Sequence, residues 1–220
     1  HHSSISSRRI IRQAQLSKLA AYIKASYSSA CGKHHGLPDL LPLCESTEPR
    51  ARETLLDAWQ ERVPLSDWHE VSPWIDRIKA GEANVLTTEP VRRLLPTAGS
   101  TGTHKLIPWT DTLQEEFQRA LGTWFYDLFQ AFPSIRHGSA YWAVTPLAAE
   151  EQNPDGPPIS LIREDDFFDG EVKALLEQYL VNLPAPDGPH DDDGLPGGGS
   201  FTDRMLHELI AQENLTMISV

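Results

Sequence analysis

The sequence is short of cysteine, of long apolar runs and of positive charge, and each shortage excludes a class of protein. Its 220 residues contain only two cysteines, Cys31 and Cys44, too few for a disulfide framework. A reducing compartment suits these two thiols best. No run approaches the roughly 18 apolar residues that a membrane helix needs. Because we find neither a span nor an export signal, we expect a cytoplasmic protein with no membrane partner.

The charge balance is acidic, with 31 Asp and Glu against 19 Lys and Arg and a formal net charge of −12. Such a chain repels the phosphate backbone of nucleic acids, so we expect no nucleic-acid partner. A nucleotide can still bind if a local group of donors overcomes the overall charge. The 40% apolar content is ordinary for a globular protein, and it predicts one large domain or a domain with a fragment of another.

The first residues are left out of the fold prediction. The start, His1-His2-Ser3-Ser4, resembles a tag remnant, and we interpret residues 1–8 as a tag or a disordered start. The pair Arg8-Arg9 superficially resembles a twin-arginine export signal. Polar side chains interrupt any apolar core after it, so an amphipathic helix is the better interpretation.

Helical signals dominate the first third of the chain. Apolar side chains recur at helical spacing over residues 9–26 and 48–63. Glycine and proline breakers between them predict a loop over residues 32–43. Ser66 is expected to cap a third helix, which ends at Gly81.

The remainder of the chain predicts short strands alternating with helices. Thr112 and Glu115 form a capping-box pattern that opens the clearest helix. The predicted strands cover residues 84–88, 93–97, 106–109, 140–145, 159–162 and 215–220, and the predicted helices cover residues 112–132, 170–182 and 201–212. The apolar face of the first of these helices is predicted to contain Leu113, Phe117, Ala120, Leu121, Trp124 and Leu128. The fold class is therefore α/β, with N-terminal helices followed by the start of a mixed sheet.

The most informative stretch is a small-residue loop at residues 97–105, which we call the glycine loop. Gly99 and Gly102 let backbone N–H groups turn inward, the hydroxyls add donors, and Lys105 adds a positive charge. Such a nest suits the terminal phosphates of a nucleotide. The candidate phosphate-binding residues are Thr97, Ala98, Gly99, Ser100, Thr101, Gly102, Thr103 and Lys105.

The glycine loop is not a Walker A loop. That motif places four residues between its glycines and a Ser or Thr after the lysine, whereas here the glycines are three positions apart and Leu106 follows the lysine. A flexible serine and glycine turn between two strands is the alternative interpretation.

The glycine loop resembles the first phosphate-binding motif of the adenylate-forming superfamily, usually Thr-Ser-Gly-Thr-Thr-Gly followed within a few residues by Lys. The likeness extends outward, for example through Glu89-Pro90 before the loop and residues 105–110 after it. On these and further segments the chain is similar to the auxin-responsive promoter (Gretchen Hagen) family of acyl acid–amido synthetases, in its bacterial branch. The further segments are residues 63–65, 77–82, 124–128, 140–142 and 215–220.

The resemblance implies that residues 9–220 are the N-terminal part of the adenylate-forming large domain, without the C-terminal domain. Ala98 stands where the family usually has Ser, and the family's later motifs, for adenine, ribose and the C-terminal catalytic lysine, do not appear. We therefore expect this chain alone to be inactive. A degenerate or truncated paralogue that acts as a non-catalytic interaction module stays open as the alternative. A kinase-like phosphotransferase is a third hypothesis, which the spacing of the loop disfavours.

The resemblance also implies the chemistry. Family members attack ATP with a carboxylic acid, release pyrophosphate, and pass the acyl-adenylate to an amine or amino acid. The implied cofactors are ATP and Mg²⁺. The glycine loop would hold the terminal phosphates, and Lys105, the one implied catalytic residue, would shield the departing pyrophosphate.

Other candidate residues have competing interpretations. Tyr141 and Trp142 are candidates for a substrate pocket, although aromatic residues on a strand are more often core. His34, His35 and His104 have no partners at metal-ligand spacing and are predicted to be surface residues. Residues 190–193 form an acidic run that we interpret as a solvated loop, so no metal site is predicted.

Overall fold

The computed structural model describes residues 2–97, 105–142, 153–160, 173–174, 178–181 and 201–219. The α-helices are α1 (His2–Ser26), α2 (Ala30–His34), α3 (Leu41–Glu45), α4 (Pro49–Arg62), α5 (Trp68–Lys79), α6 (Asp111–Ala131) and α7 (Phe201–Ile210). Short 3-10 helices cover Leu37–Leu40 and Pro133–His137. The strands are β1 (Arg93–Pro96), β2 (Leu106–Trp109), β3 (Ser139–Trp142) and β4 (Leu215–Ser219).

The chain forms two compact units. The first contains residues 1–111 and 151–159, and the second contains residues 112–150 and 160–220. Within the described part of the chain, no helix combines the length and apolar character that crossing a membrane requires.

The helical core of the first unit follows the periodicity of α1. Ala20 and Ile23 are buried and pack with Leu40 and Leu55, the last of which is fully inaccessible to solvent. Ala20 and Ile23 lie on one face of α1 because a separation of three or four residues is about one helical turn. The predicted helix is confirmed, but it starts at His2 rather than at Arg9.

Residues 32–43 were predicted to be a loop, and that prediction is wrong. The structure has a 3-10 helix and α3 here, and Pro38 and Pro42 each lie in the first turn of one of these short helices. Proline is tolerated there because the first N–H groups of a helix have no intrahelical partner. The prolines therefore begin helices in this segment instead of breaking them.

Helix α5 is capped by Asp67, not by the predicted Ser66. The Asp67 carboxylate accepts hydrogen bonds from the backbone N–H groups of His69 and Glu70, and the Glu70 carboxylate accepts one from the Asp67 N–H. This reciprocal capping box fixes the first turn of the helix. Further along, Ile75 and Ile78 are buried in a second core cluster of the first unit.

Residues 84–88 do not form the predicted strand, so the sheet starts at Arg93 and not near Asn84. Asn84 has a left-handed backbone with φ of 57°, which interrupts an extended chain. The carbonyls of Asn84 and Val85 accept hydrogen bonds from Ala30 and Cys31 at the start of α2. Because these carbonyls bond a helix terminus, the segment serves as a cap and not as a strand.

The second unit contains β3 and β4, which pair in parallel, with Ser139 opposite Leu215 and Trp142 opposite Ser219. Helix α6 starts at Asp111, so Thr112 lies inside its first turn rather than at the predicted cap. Its buried side chain is Phe125, which was missing from the predicted face, whereas Trp124 is substantially exposed. The apolar side chains packed around Phe125 are Leu121, Leu128, Phe129, Trp142, Leu180 and Met217.

The remaining predictions are confirmed only in part. The strand at residues 106–109, the helix at 48–63 and the helix at 201–212 are confirmed to within about two residues at each end. Ile159 forms an isolated bridge with Leu94, and residues 161–162 lie outside the described part of the chain. The same holds for most of residues 170–182 and for residues 143–145.

Candidate functional site

The glycine loop connects two adjacent antiparallel strands, as predicted. Leu95 lies opposite Ile107 and Pro96 lies opposite Leu106. One position beyond, the Thr97 N–H donates to the Lys105 carbonyl at 2.8 Å, and the Lys105 N–H donates to Thr97 Oγ1 at 3.3 Å. These two bonds close the hairpin at the point where the loop begins and ends. The predicted site residues Ala98, Gly99, Ser100, Thr101, Gly102 and Thr103, with His104, lie outside the described residues.

The opposite end of the hairpin is closed by an arginine and an aspartate. The Arg92 N–H donates to the Trp109 carbonyl at 2.8 Å. The Arg92 guanidinium donates from both Nε and Nη2 to the Asp111 carboxylate, with a shortest separation of 2.7 Å. These hydrogen bonds hold the pKa of Asp111 below its usual range. The hairpin is thus fixed at both ends, and this restricts the positions of Thr97 and Lys105.

A third segment supports the hairpin from the other side of β1. The Leu94 N–H donates to the Pro158 carbonyl at 2.9 Å, and Leu94 forms a parallel bridge with Ile159. Leu94 is completely buried in the second core cluster. The stem of the glycine loop is therefore packed into the core of the first unit through β1, and this packing makes the stem rigid.

This third segment is itself anchored to the end of α5. The Asn153 side-chain amide donates to the Lys79 carbonyl at 2.8 Å and to the Pro157 carbonyl at 3.0 Å. Gly81 has a left-handed φ of 84°, and a Cβ built there would lie 1.9 Å from the Asp155 carbonyl oxygen. Only glycine therefore allows α5 and this turn to approach so closely.

Lys105 is exposed, and its Nζ lies 5.9 Å from the centroid of the Trp68 ring. Within the described ranges, no carboxylate forms an ion pair with this ammonium group. Three arginines of the same unit do have such partners, in the pairs Arg12–Glu53, Arg77–Glu82 and Arg92–Asp111. Among the residues that the structure describes, none neutralises the charge of Lys105, which is thus available for an anion.

Trp68 and the Arg92–Asp111 pair were not predicted from the sequence. The pair had a usable signal, because Arg92 directly precedes one predicted strand and Asp111 lies two residues after the other, and residues near such ends come close across an antiparallel ladder. Trp68 had no such signal, since its contact with Lys105 depends on how α5 packs against β2.

Tyr141 and Trp142, the predicted substrate-pocket residues, lie half-buried on β3 in the second unit. The Trp142 ring packs against Phe125 with centroids 5.8 Å apart and against Trp124 at 6.2 Å. That packing favours the core interpretation for Trp142. Tyr141 points to the opposite face of the strand, because successive side chains alternate, and its proposed role stays a prediction.

Other titratable groups of the described chain form no metal site. Groups of three or more potential ligands are absent from the residues that the structure describes. His34 packs against Trp74, and His35 Nδ1 lies 3.2 Å from the Arg62 carbonyl oxygen. Burial raises the pKa of the Cys31 and Cys44 thiols, which disfavours the nucleophilic thiolate near neutral pH.

Comparison with solved structures identifies the fold. The chain superimposes on an acyl acid amido synthetase, AtGH3.15, solved in complex with 2,4-DB, with a TM-score of 0.51, 18% identity, and coverage of 78% of this chain and 27% of that one. A second structure, GH3.15 acyl acid amido synthetase, gives a TM-score of 0.51 and 22% identity over 68% of this chain and 25% of that one. The described chain thus has the α/β fold of these acyl acid amido synthetases.

The family follows from the sequence comparison. The sequence model of the GH3 family N-terminal domain matches residues 6–185, and the chain belongs to this family. A relative from Oryza sativa subsp. japonica, named "Probable indole-3-acetic acid-amido synthetase GH3.13", is 35% identical over 78 residues. That alignment covers 34% of this chain and 16% of the rice protein. The matched part of the chain therefore spans between 16% and 27% of the length of these relatives.

Proposed function

We propose that this chain supplies the phosphate-binding hairpin of an ATP-dependent acyl acid–amido synthetase. In the full-length protein, a carboxylic acid would be activated by ATP and then joined to an amino acid or another amine. The observation that supports the proposal is the rigid β1–β2 stem beneath the glycine loop, in a chain that belongs to the GH3 family. The similarity of residues 105–110 and the other flanking segments supports placement in the bacterial branch. A cytoplasmic location is also proposed, which the two free cysteines suit.

The residues at the stem fit the terminal phosphates of ATP. Thr97 brings a hydroxyl and Lys105 an ammonium group to the two ends of the glycine loop. Hydroxyls, backbone N–H groups and ammonium groups are the usual partners of phosphate oxygens. Holding the leaving group in this way contributes orientation and charge stabilisation, which are the main protein contributions to such transfers.

The described residues do not offer a cage for Mg²⁺. They contain no cluster of three potential ligands, and the stem itself presents a hydroxyl and a cation. Mg²⁺ commonly binds through one or two carboxylates together with substrate phosphates. We therefore propose that the ion arrives with ATP and that Lys105 shares the neutralisation of phosphate charge.

The relatives suggest which acids to test first. One is named for indole-3-acetic acid and another was solved with 2,4-DB. The central experiment is carboxylate-dependent exchange of ATP with labelled pyrophosphate, performed on the full-length protein with these two acids and with fatty acids. Exchange that requires both the acid and Mg²⁺ would support the proposal. Full-length protein that folds but shows no exchange with any acid would favour the non-catalytic interaction module.

The 220-residue chain alone is proposed to bind ATP weakly and to catalyse no exchange. Adenylation requires adenine, ribose, α-phosphate and carboxylate to be held together, whereas only a terminal-phosphate site is evident here. A few exposed hydrogen bonds barely offset the cost of immobilising a ligand, so we expect a Kd on the order of millimolar or weaker. Calorimetry that gave micromolar ATP binding, with acid-dependent exchange, would contradict this.

A further inference from the structure

The proposed function assigns a role to Lys105 but does not explain why its side chain lies against the Trp68 ring. Lys105 has a fixed backbone, because Thr97 bonds both its N–H and its carbonyl. Its four-carbon side chain is not fixed by the hairpin and has several free rotations. The Trp68 ring, 5.9 Å from Nζ, lies within the range over which an aromatic face attracts a cation.

Trp68 is well supported as a platform. It is the first residue of α5, directly after the Asp67 cap whose capping box fixes that turn. Its side chain is half-buried against the second core cluster, in company with Leu106, the residue that follows Lys105. The ring is therefore held both by its own helix and by packing beside the strand that carries the lysine.

The Trp68 ring differs from the partners of the paired arginines because it carries no charge. The chain carries a net charge of −12, and the arginines at positions 12, 77 and 92 are each neutralised by a carboxylate. A carboxylate beside Lys105 would compete with an incoming phosphate and repel it. An indole ring attracts the ammonium group through its quadrupole without cancelling the charge.

The ring contact is compatible with a bound phosphate, because the ammonium group has three N–H donors and only part of it faces the ring. An exposed cation–π contact is worth a factor of about two to five in an equilibrium constant. A hydrogen bond between a charged group and phosphate is worth about tenfold to a hundredfold. The hydrogen bond to phosphate is therefore the larger contribution. The ring contact, kept in the bound state, adds the smaller factor because it orders the lysine side chain before the ligand arrives.

The geometry points to Trp68 as a positioning residue for Lys105, which restrains the ammonium group without neutralising its charge and so favours its contact with a polyphosphate ligand. This inference rests on the proposed phosphate role of the loop. It assigns to Trp68 no contact with the reacting atoms.

Trp74 offers a matched control on the same helix. It also packs against the second core cluster, and it also has a cation over its ring, Arg77 at 5.0 Å. That arginine is already paired with Glu82 and does not belong to the hairpin. Trp68→Leu and Trp74→Leu therefore remove the same indole from the same cluster, but only the former affects Lys105.

The test measures two properties of the 220-residue chain by NMR, namely the ring-current shift of the Lys105 Hε protons and the Kd for inorganic tripolyphosphate. The Lys105 resonance is assigned by its loss in Lys105→Arg. We expect an upfield Hε shift that disappears in Trp68→Leu, remains in Trp74→Leu and is partly kept in Trp68→Phe. We expect Trp68→Leu to raise the Kd about two- to fivefold, with no change in Trp74→Leu. Thermal unfolding monitors the fold of each variant.

The outcomes separate the two proposals. If the wild-type chain binds tripolyphosphate but shows no ring-current shift, the assignment of Trp68 alone is overturned. A Kd that Trp68→Leu leaves unchanged has the same consequence. An equal loss of affinity in Trp68→Leu and Trp74→Leu overturns it as well, because the effect is then structural. Wild-type chain in which even a large excess of tripolyphosphate changes no Lys105 resonance overturns the phosphate role of the loop, and with it the role of Trp68, even where the ring-current shift is present.

Discussion

The two strand pairs of this protein are organised in different ways. β1 and β2 form a hairpin with its partners close in sequence, its two ends closed by hydrogen bonds and its central Leu94 completely buried. β3 and β4 run parallel, join distant parts of the chain and have a register irregularity between Ser139 and Ala140. Along β4 exposed and half-buried side chains alternate, and Ile218 is 57% exposed. The hairpin is thus a local, tightly supported element, and the parallel pair is a non-local one in which the described residues of β4 have no buried side chain.

The largest expected difference between the two pairs is in stability. Leu94→Ala should destabilise the first unit by about 2–5 kcal/mol, the usual cost of removing a fully buried leucine side chain. Ile218→Ala, on the exposed face of β4, should cost less than about 1 kcal/mol. Urea unfolding of both variants, with hydrogen exchange to locate the affected unit, checks this. Equal losses would show that β4 is packed as firmly as β1.

A pair of glycines sharpens the comparison. Gly81→Ala introduces a side chain at φ of 84° and against the Asp155 carbonyl, so we expect a loss of about 2–4 kcal/mol from backbone strain and overpacking. Gly122 lies inside α6, and a Cβ built there meets nothing within 4 Å. Gly122→Ala should therefore stabilise the second unit by about 0.5–1 kcal/mol.

Thermal unfolding of the two glycine variants shows directly whether each substitution lowers or raises stability. A stable Gly81→Ala protein would mean that the turn at residues 153–157 is not held against α5 as described. A destabilised Gly122→Ala protein would mean that the surface of α6 at this position is covered.

The third prediction concerns function and singles out the hairpin. In the full-length protein, Lys105→Ala should slow acid-dependent pyrophosphate exchange about tenfold to a hundredfold, since a charged hydrogen bond to phosphate contributes roughly 1.5–3 kcal/mol. Lys79→Ala, which removes another exposed lysine of the same unit, is the control and should have no effect. An exchange rate unchanged in Lys105→Ala would remove this residue from the mechanism.

Local elements were the predictable part of this fold. Sequence patterns predicted the two strands of the hairpin, α4 and α6, because the apolar spacing and the breakers that define these elements lie within or beside them. Thr97 and Lys105 were predicted on another ground, the glycines and hydroxyls of the loop between these strands, and their role in phosphate binding stays a prediction. The hydrogen-bond pattern that fixes them then follows from strand adjacency.

Non-local bonds account for what was missed. Residues 84–88 have a strand-like composition, but their carbonyls bond the start of α2, more than 50 residues away in sequence. Pro38 and Pro42 begin helices because the surrounding apolar residues pack into the α1 and α4 core. β4 was predicted as a strand and is one, but none of its side chains is buried in the described structure. No local pattern could show that Trp68 would lie over Lys105.

The smallest effect is expected at the base of the hairpin. Arg92 and Asp111 are both well exposed, so the ion pair is screened by solvent and contributes little to global stability. The Arg92 hydrogen bonds lower the pKa of Asp111 below its unfolded value. The stabilising contribution is therefore fully present above the unfolded pKa, near 4, and is lost as pH falls through the depressed folded value.

Asp111→Asn should remove this acid-sensitive component and leave stability at pH 7 nearly unchanged, because the remaining ladder bond from the Arg92 N–H to the Trp109 carbonyl still closes the hairpin. Urea unfolding of wild type and Asp111→Asn between pH 3 and pH 7, in steps of about half a unit spanning that pKa, tests both parts. If the two proteins lose stability in parallel over the whole range, the pair does not hold the hairpin closed, and the backbone bonds alone fix the stem of the glycine loop.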